Sequence, residues 1–156
     1  LPRAIRDVYK RQVVIGDFPI GYYPVDERSK EMKLGFDEGH SYSHYLLIEQ
    51  AINALKGAGY AFLAVPSNIF TGDKVKQLEK FIATDTEMQA FLNLPTTLFK
   101  NEKARKSILI LQKKQPQETK PVEVLLANIP DFKNPQQFQG FISELNQWMD
   151  TNHTKK

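Results

Sequence analysis

Val13-Val14-Ile15-Gly16-Asp17-Phe18-Pro19-Ile20-Gly21-Tyr22-Tyr23-Pro24 is the stretch on which the fold turns. Its first three residues are β-branched and unbroken by polar side chains, the pattern of a buried strand. Gly16, Pro19 and Gly21 then predict a tight loop, because glycine and proline are the residues that make abrupt turns inexpensive. In an open α/β sheet, ligands bind just beyond the carboxyl ends of strands. An acid, a proline-fixed turn and two tyrosines at such a strand end therefore mark residues 17–23 as a candidate site.

Outward from that strand, helical and extended patterns alternate. Residues 24–33 are mostly polar and residues 34–40 read as loop. Between Ser41 and Lys56, Tyr42, Tyr45, Leu46, Ile48, Ile52 and Leu55 recur mainly at spacings of three and four, predicting a helix with Ser41 as its N-cap and Gly57 and Gly59 as its stop. Residues 60–65 are apolar throughout, as in a strand covered on both faces, and Pro66-Ser67-Asn68 closes them. Thr71 or Asp73 caps a second helix over 74–83, whose stripe is Val75, Leu78, Phe81 and Ile82. Residues 88–94 and 107–112 read as strands whose short connection predicts antiparallel pairing. A polar linker follows, then an edge strand over 122–127. Asn134 and Pro135 open a last helix carrying Phe138, Phe141, Ile142, Leu145, Trp148 and Met149, with residues from Thr151 onward expected to fray. This order predicts an α/β fold with a mainly parallel sheet and antiparallel final strands.

Composition narrows the chemistry. The chain of 156 residues is 41% hydrophobic and 25% charged, as in an ordinary globular domain. Its apolar runs are strand-sized, which excludes a helical membrane span within it. With no cysteine there is no disulfide, thiolate nucleophile or Cys-ligated metal. His40 and His44 stand four apart without an evident third ligand, so they read as packing or solvated residues. Lys100, Lys103, Arg105, Lys106, Lys113 and Lys114 form the one basic cluster of the chain's body; with Glu102 among them they read as a solvated loop. The net charge of +3 would point to a nucleic-acid partner, but four basic residues against one acid in residues 1–12 account for all of it.

A resemblance extends this reading. Asp17-Phe18-Pro19-Ile20-Gly21 resembles a degenerate form of the Asn/Asp-Pro-Pro-aromatic loop of class I S-adenosylmethionine-dependent methyltransferases that act on amino nitrogens, adenine-specific DNA methylases above all. Leu47-Ile48-Glu49-Gln50-Ala51, Leu55-Lys56-Gly57-Ala58-Gly59 and Ala64-Val65-Pro66-Ser67-Asn68 follow in that family's order, and the similarity runs over residues 13–114. It is nearest to a bacterial branch with Asp-x-Pro-x-Gly-Tyr-Tyr in the loop. The resemblance implies the C-terminal portion of a Rossmann-like methyltransferase fold, with residues 115–156 packing on the same domain. It also implies S-adenosylmethionine as the intact parent's cofactor, a nucleic-acid partner without membrane attachment, and a cytoplasmic location.

The same resemblance assigns roles. Asp17 would accept one hydrogen of the substrate's amino group and the carbonyl of Phe18, held by Pro19, the other, freeing the nitrogen lone pair for methyl transfer. Ile20, Gly21, Tyr22, Tyr23 and Asn68 would line the substrate. Ile20 stands where the family carries the aromatic that stacks on a flipped base, and Tyr22 and Tyr23 are near enough to replace it. The cofactor's glycine-rich loop has no counterpart: Gly57-Ala58-Gly59 follows a helix and precedes a strand. Two alternatives therefore stay open, a non-catalytic methyltransferase-like binding module and a methyltransferase of RNA or of a protein amide. Finally, Asp7-Val8-Tyr9-Lys10-Arg11-Gln12 is similar to the translation of a transposase end sequence used in preparing sequencing libraries. Residues 1–12 are accordingly expected to be a foreign leader, and the first part of the natural domain to be missing.

Overall fold

The computed structural model describes residues 10–116 and 123–153. Five strands form one sheet in the order β1-β2-β4-β3-β5: β1 is Arg11–Asp17, β2 Leu55–Pro66, β3 Thr86–Asn93, β4 Lys106–Lys113 and β5 Leu125–Asn128. β1 runs parallel to β2 and β3 parallel to β5, while β4 is antiparallel to both β2 and β3. Four strands thus share a direction and one is reversed, in agreement with the expected mainly parallel sheet. The reversed strand lies inside the sheet, and the rim beyond it is β5.

Helix α1 (Asp26–Ser29) is one turn within the stretch read as polar loop; α2 is Ser43–Ala54, α3 Val75–Asp85 and α4 Pro135–His153. Helices α2 and α3 bury one sheet face. Ile48, Ile52, Leu55, Leu78 and Phe81 meet Ala61, Leu63, Val65, Leu109 and Leu111 in a single core, which Leu34 and Phe36 complete from the preceding loop. Burying each of the larger of these side chains contributes on the order of 1.5–3 kcal/mol. The loop is tied down by Glu49, a buried acid whose Oε1 accepts the backbone N–H of Leu34 at 2.8 Å.

Several sequence expectations need correction. Ser41 does not cap α2; its hydroxyl accepts the N–H of Phe36 at 2.8 Å, and Tyr42 occupies the cap position. Gly57 and Gly59 do not end the helix, because the backbone is already extended at Leu55 and both glycines lie within β2. They belong to an irregularity: Arg11 faces Leu55 and Val13 faces Tyr60, so residues 56–59 bulge from the ladder. A Cβ on Gly59 would sit 2.9 Å from the carbonyl oxygen of Gln12, which is why glycine fits there. Neither Thr71 nor Asp73 caps α3, whose N-cap is Lys74; Thr71 bonds back to the carbonyl of Asn68. Thr151 and Asn152 remain helical, bonding the carbonyls of Gln147 and Trp148.

The second sheet face is only partly covered. α4 lies over it, with Leu145, Trp148 and Met149 lining an apolar cavity of about 340 Å³ against Phe62, Leu92 and Ile110. Near β1 this face is open: Val13, Ile15 and Phe62 are 49%, 79% and 37% exposed. Residues 60–65 are therefore covered on one face, since alternate side chains of a strand point to opposite sides. β1 likewise sends Val14 toward the core and its neighbours toward solvent.

Candidate active site

The carboxyl ends of β1 and β2 and the amino end of β4 come together at one edge, where Pro66 pairs with Lys106. The ladder continues one residue past β1, the N–H of Phe18 bonding the carbonyl of Ala64 at 2.9 Å. Phe18 is buried, and its ring folds back over Gly16, where a Cβ would lie 2.6 Å from the ring. That anchored ring, with Pro19 fixing the next backbone torsion, holds the Phe18 carbonyl at the edge. Asp17, by contrast, leaves its side chain 75% exposed beside that carbonyl.

Both oxygens meet the same nitrogen. Lys106 Nζ donates to Phe18 O at 2.9 Å and pairs with Asp17 Oδ1. Two acceptors, one charged and one a fixed carbonyl, thus converge on a single primary amine. The resemblance implies these same two acceptors for a substrate amino group; in the structure they are taken by a lysine that reads, in the sequence, as part of a solvated basic loop. The remaining members of that cluster are dispersed: Arg105 lies 4.0 Å from Glu102, while at the far end of β4 Lys113 and Lys114 donate to the carbonyls of Leu55 and Ala83. No local signal marks Lys106 in the sequence, because it is the pairing of β4 with β2 that brings it to this edge.

Next to this pair is a cavity of about 220 Å³ lined by Ile20, Gly21, Tyr22, Tyr42, His44 and Asn68, among others. It is below the roughly 300–1,000 Å³ of pockets for drug-sized ligands, a size suited to one ring system. Four predicted residues, Ile20, Gly21, Tyr22 and Asn68, are gathered there. Tyr23 is not in the lining; its N–H bonds the carbonyl of Ser41 at 2.7 Å, clasping the loop against the start of α2. The N–H of Ser43 likewise bonds the carbonyl of Gly21, and Tyr22 bridges to Tyr42 with ring centroids 5.2 Å apart.

The cavity wall is aromatic and uncharged. Tyr42 stacks on His44 at 5.2 Å and 15°, and Tyr45 meets both edge-on. Burial lowers the His44 imidazole to about 4 and raises the Tyr45 phenol to about 12, while desolvation and then a hydrogen bond with Tyr22 raise Tyr42. Near neutral pH all three rings are neutral, an environment that favours a flat uncharged guest. In the sequence Tyr42 reads as a helix position and His44 as a packing or solvated residue, since nothing in the chain shows that the helix start faces the loop after β1. His40 is elsewhere, its Nδ1 2.7 Å from Asp26 Oδ1, and no cluster of three metal-ligating side chains occurs among the described residues.

A polar chain continues along the edge. The Ser67 and Ser107 hydroxyls lie 2.8 Å apart, Ser107 donates to Asn93 at 2.6 Å, and Asn93 donates to Asn128 at 2.9 Å. Ser67, Asn93 and Asn128, with Arg105 and Asp131, bound a wider cavity of about 620 Å³. The glycine pair Gly57 and Gly59 is at the other end of β2, away from Asp17. The described residues therefore suit the holding of an amine and a ring, and offer no glycine-rich turn at this edge for a nucleotide-like cofactor.

A family model for the N-6 DNA Methylase matches residues 20–155. The uncharacterized protein YtxK of Bacillus subtilis (strain 168) is 38% identical over 135 residues, covering 86% of this chain and 41% of that protein. A crystal structure from Listeria monocytogenes, described as a class I S-adenosylmethionine-dependent methyltransferase, is 40% identical with a TM-score of 0.80, over 89% of this chain and 43% of that one. The EcoKI M protein of a type I restriction enzyme shares the fold alone, at 18% identity and a TM-score of 0.55, over 86% of this chain and 29% of its own. The chain thus spans less than half the length of each of these proteins.

Proposed function

This chain belongs to the N-6 DNA methylase family, and on that premise we propose that its strand-end loop is the methyl-acceptor half of an S-adenosylmethionine-dependent methyltransferase acting on the exocyclic amine of adenine in DNA. The observation that carries this reading is the convergence of Asp17 Oδ1 and Phe18 O on one nitrogen. An exocyclic amine is a poor nucleophile because its lone pair is delocalised into the ring. Two acceptors that hold both N–H bonds orient the group, and a carboxylate among them stabilises the positive charge the nitrogen gains on methylation. Asp17 and Phe18 would do this while the ring occupies the neutral cavity beside Ile20 and Tyr22, reached by a base turned out of the duplex.

Bound S-adenosylmethionine would supply the electrophilic methyl. The described residues do not fit its binding, so this chain's part is confined to the acceptor. A cytoplasmic setting and a DNA partner accompany the reading, and no described helix is long and apolar enough to cross a membrane.

An amide chemical-shift titration tests the acceptor role. 2′-Deoxyadenosine is expected to shift the resonances of Gly21, Tyr22, Tyr42 and Asn68, with 2′-deoxyinosine, which lacks the amine, binding more weakly. Asp17→Ala should weaken deoxyadenosine binding by about tenfold, the effect of losing a hydrogen bond to a charged group. Equal shifts with both nucleosides, or an unaffected Asp17→Ala variant, would refute the assignment.

A further inference from the structure

Lys106 adds something to that site which its proposed role does not require. Its side chain, 20% exposed, starts at the first residue of β4 and reaches across the end of β2 to the end of β1. There its ammonium takes the side-chain carboxylate and the backbone carbonyl together. Those are the two oxygens a substrate amine would need, and the nitrogen that holds them is itself a primary amine. The cradle is therefore filled by a residue of the same chain.

Charge makes this occupancy consequential. Asp17 can stabilise a nitrogen that is becoming positive only while its own charge is uncompensated, and a resident ammonium compensates it. With Lys106 in place, an incoming amine would meet spent acceptors and a like charge developing beside a cation. We propose that Lys106 is a built-in gate of the acceptor site: its ammonium occupies the Asp17–Phe18 cradle in the resting fold, and a substrate amine enters by displacing it. The proposal rests on the acceptor reading above and specifies its regulation. Because the carboxylate is largely exposed, the pair is weak enough to be broken by a competing donor. It would thus exclude weakly held amines without sealing the site.

The test uses the chain itself with 2′-deoxyadenosine and 2′-deoxyinosine. Lys106→Met removes the ammonium and keeps an unbranched apolar stem. It should bind deoxyadenosine about fivefold more tightly than the unsubstituted chain, the change equivalent to one exposed ion pair, with deoxyinosine affinity unchanged. A second measurement needs no variant: the rate at which an amine-acetylating reagent modifies Lys106, followed by peptide mass spectrometry. Lys106 should react slowly in the free chain and faster when deoxyadenosine is added, whereas deoxyinosine should leave the rate unchanged.

Tighter deoxyadenosine binding by Lys106→Met, or accelerated acetylation in the unsubstituted chain, supports the gate. Equal or weaker binding by the variant together with an unchanged acetylation rate overturns it and leaves the acceptor reading standing; Lys106 would then be a positioning residue that holds Asp17 and Phe18 in place. Binding of deoxyadenosine by neither form, with acetylation of Lys106 indifferent to either nucleoside, overturns the acceptor reading and the gate with it.

Discussion

His44 is a base kept neutral inside an aromatic wall, and its Nδ1 has no hydrogen-bond partner. Burial depresses its pKa from the usual 6.5 to about 4. Between those limits the unfolded chain binds a proton that the folded chain does not, so stability rises with pH across that window and is level above it. Urea unfolding is therefore expected to give a chain less stable at about pH 5 than near neutrality, by on the order of 2 kcal/mol. His44→Phe should flatten that difference, and an unchanged pH dependence in the variant would contradict this account. At this scale the strand end that carries Asp17 and Phe18 was legible as a candidate site, because an acid and a proline-fixed turn are adjacent in the chain, whereas their roles came from the resemblance of the loop. Lys106 was not legible: its charge reads the same in a solvated loop as in an ion pair, and only the pairing of β4 with β2 brings it to Asp17.

Among the elements, β1 is the exposed one. It is an edge strand of the described sheet, and on its open face Val13 and Ile15 are largely in solvent. An unpaired edge carrying apolar side chains is a template for pairing with further chains. Concentration-dependent self-association is expected in sedimentation velocity, and Ile15→Lys should reduce it by placing a charge on that edge; association unaffected by the lysine would exclude β1 as its cause. The strand itself was legible from Val13-Val14-Ile15, although pairing begins at Arg11. The covering of residues 60–65 was not, because an apolar run signals burial without saying whether a partner layer is present. Phe62 is the case in point, more than a third open to solvent on a face that α4 only partly reaches.

For the whole molecule, the question is what the two ends of the sheet are able to hold. The described edge offers an amine cradle and a ring-sized neutral cavity, while the glycine pair lies at the opposite end of β2. Binding of S-adenosylmethionine to this chain, followed by calorimetry, is expected to be weak or undetectable. Tight stoichiometric binding would show that other residues serve the cofactor. The alternation of helices and strands gave the α/β class and the antiparallel β3–β4 pair correctly, since periodicity and connection length are properties of short segments. The residues 1–9 of the expected foreign leader lie outside the described residues, as do Val122 of the expected edge strand and the last three residues of the tail.

By itself the sequence determined the class of fold and the strand end on which a candidate site is built, because each follows from residues adjacent in the chain, while the roles of Asp17 and Phe18 came from the resemblance of their loop. Only the tertiary structure decided that the oxygens of Asp17 and Phe18 are already held by Lys106, that Tyr42 and His44 wall the neighbouring cavity, and that Tyr23 clasps the loop without lining that cavity. These relations join residues as many as 89 positions apart through strand order and register. Strand order is set by how the sheet buries its apolar face as a whole, which no local pattern encodes.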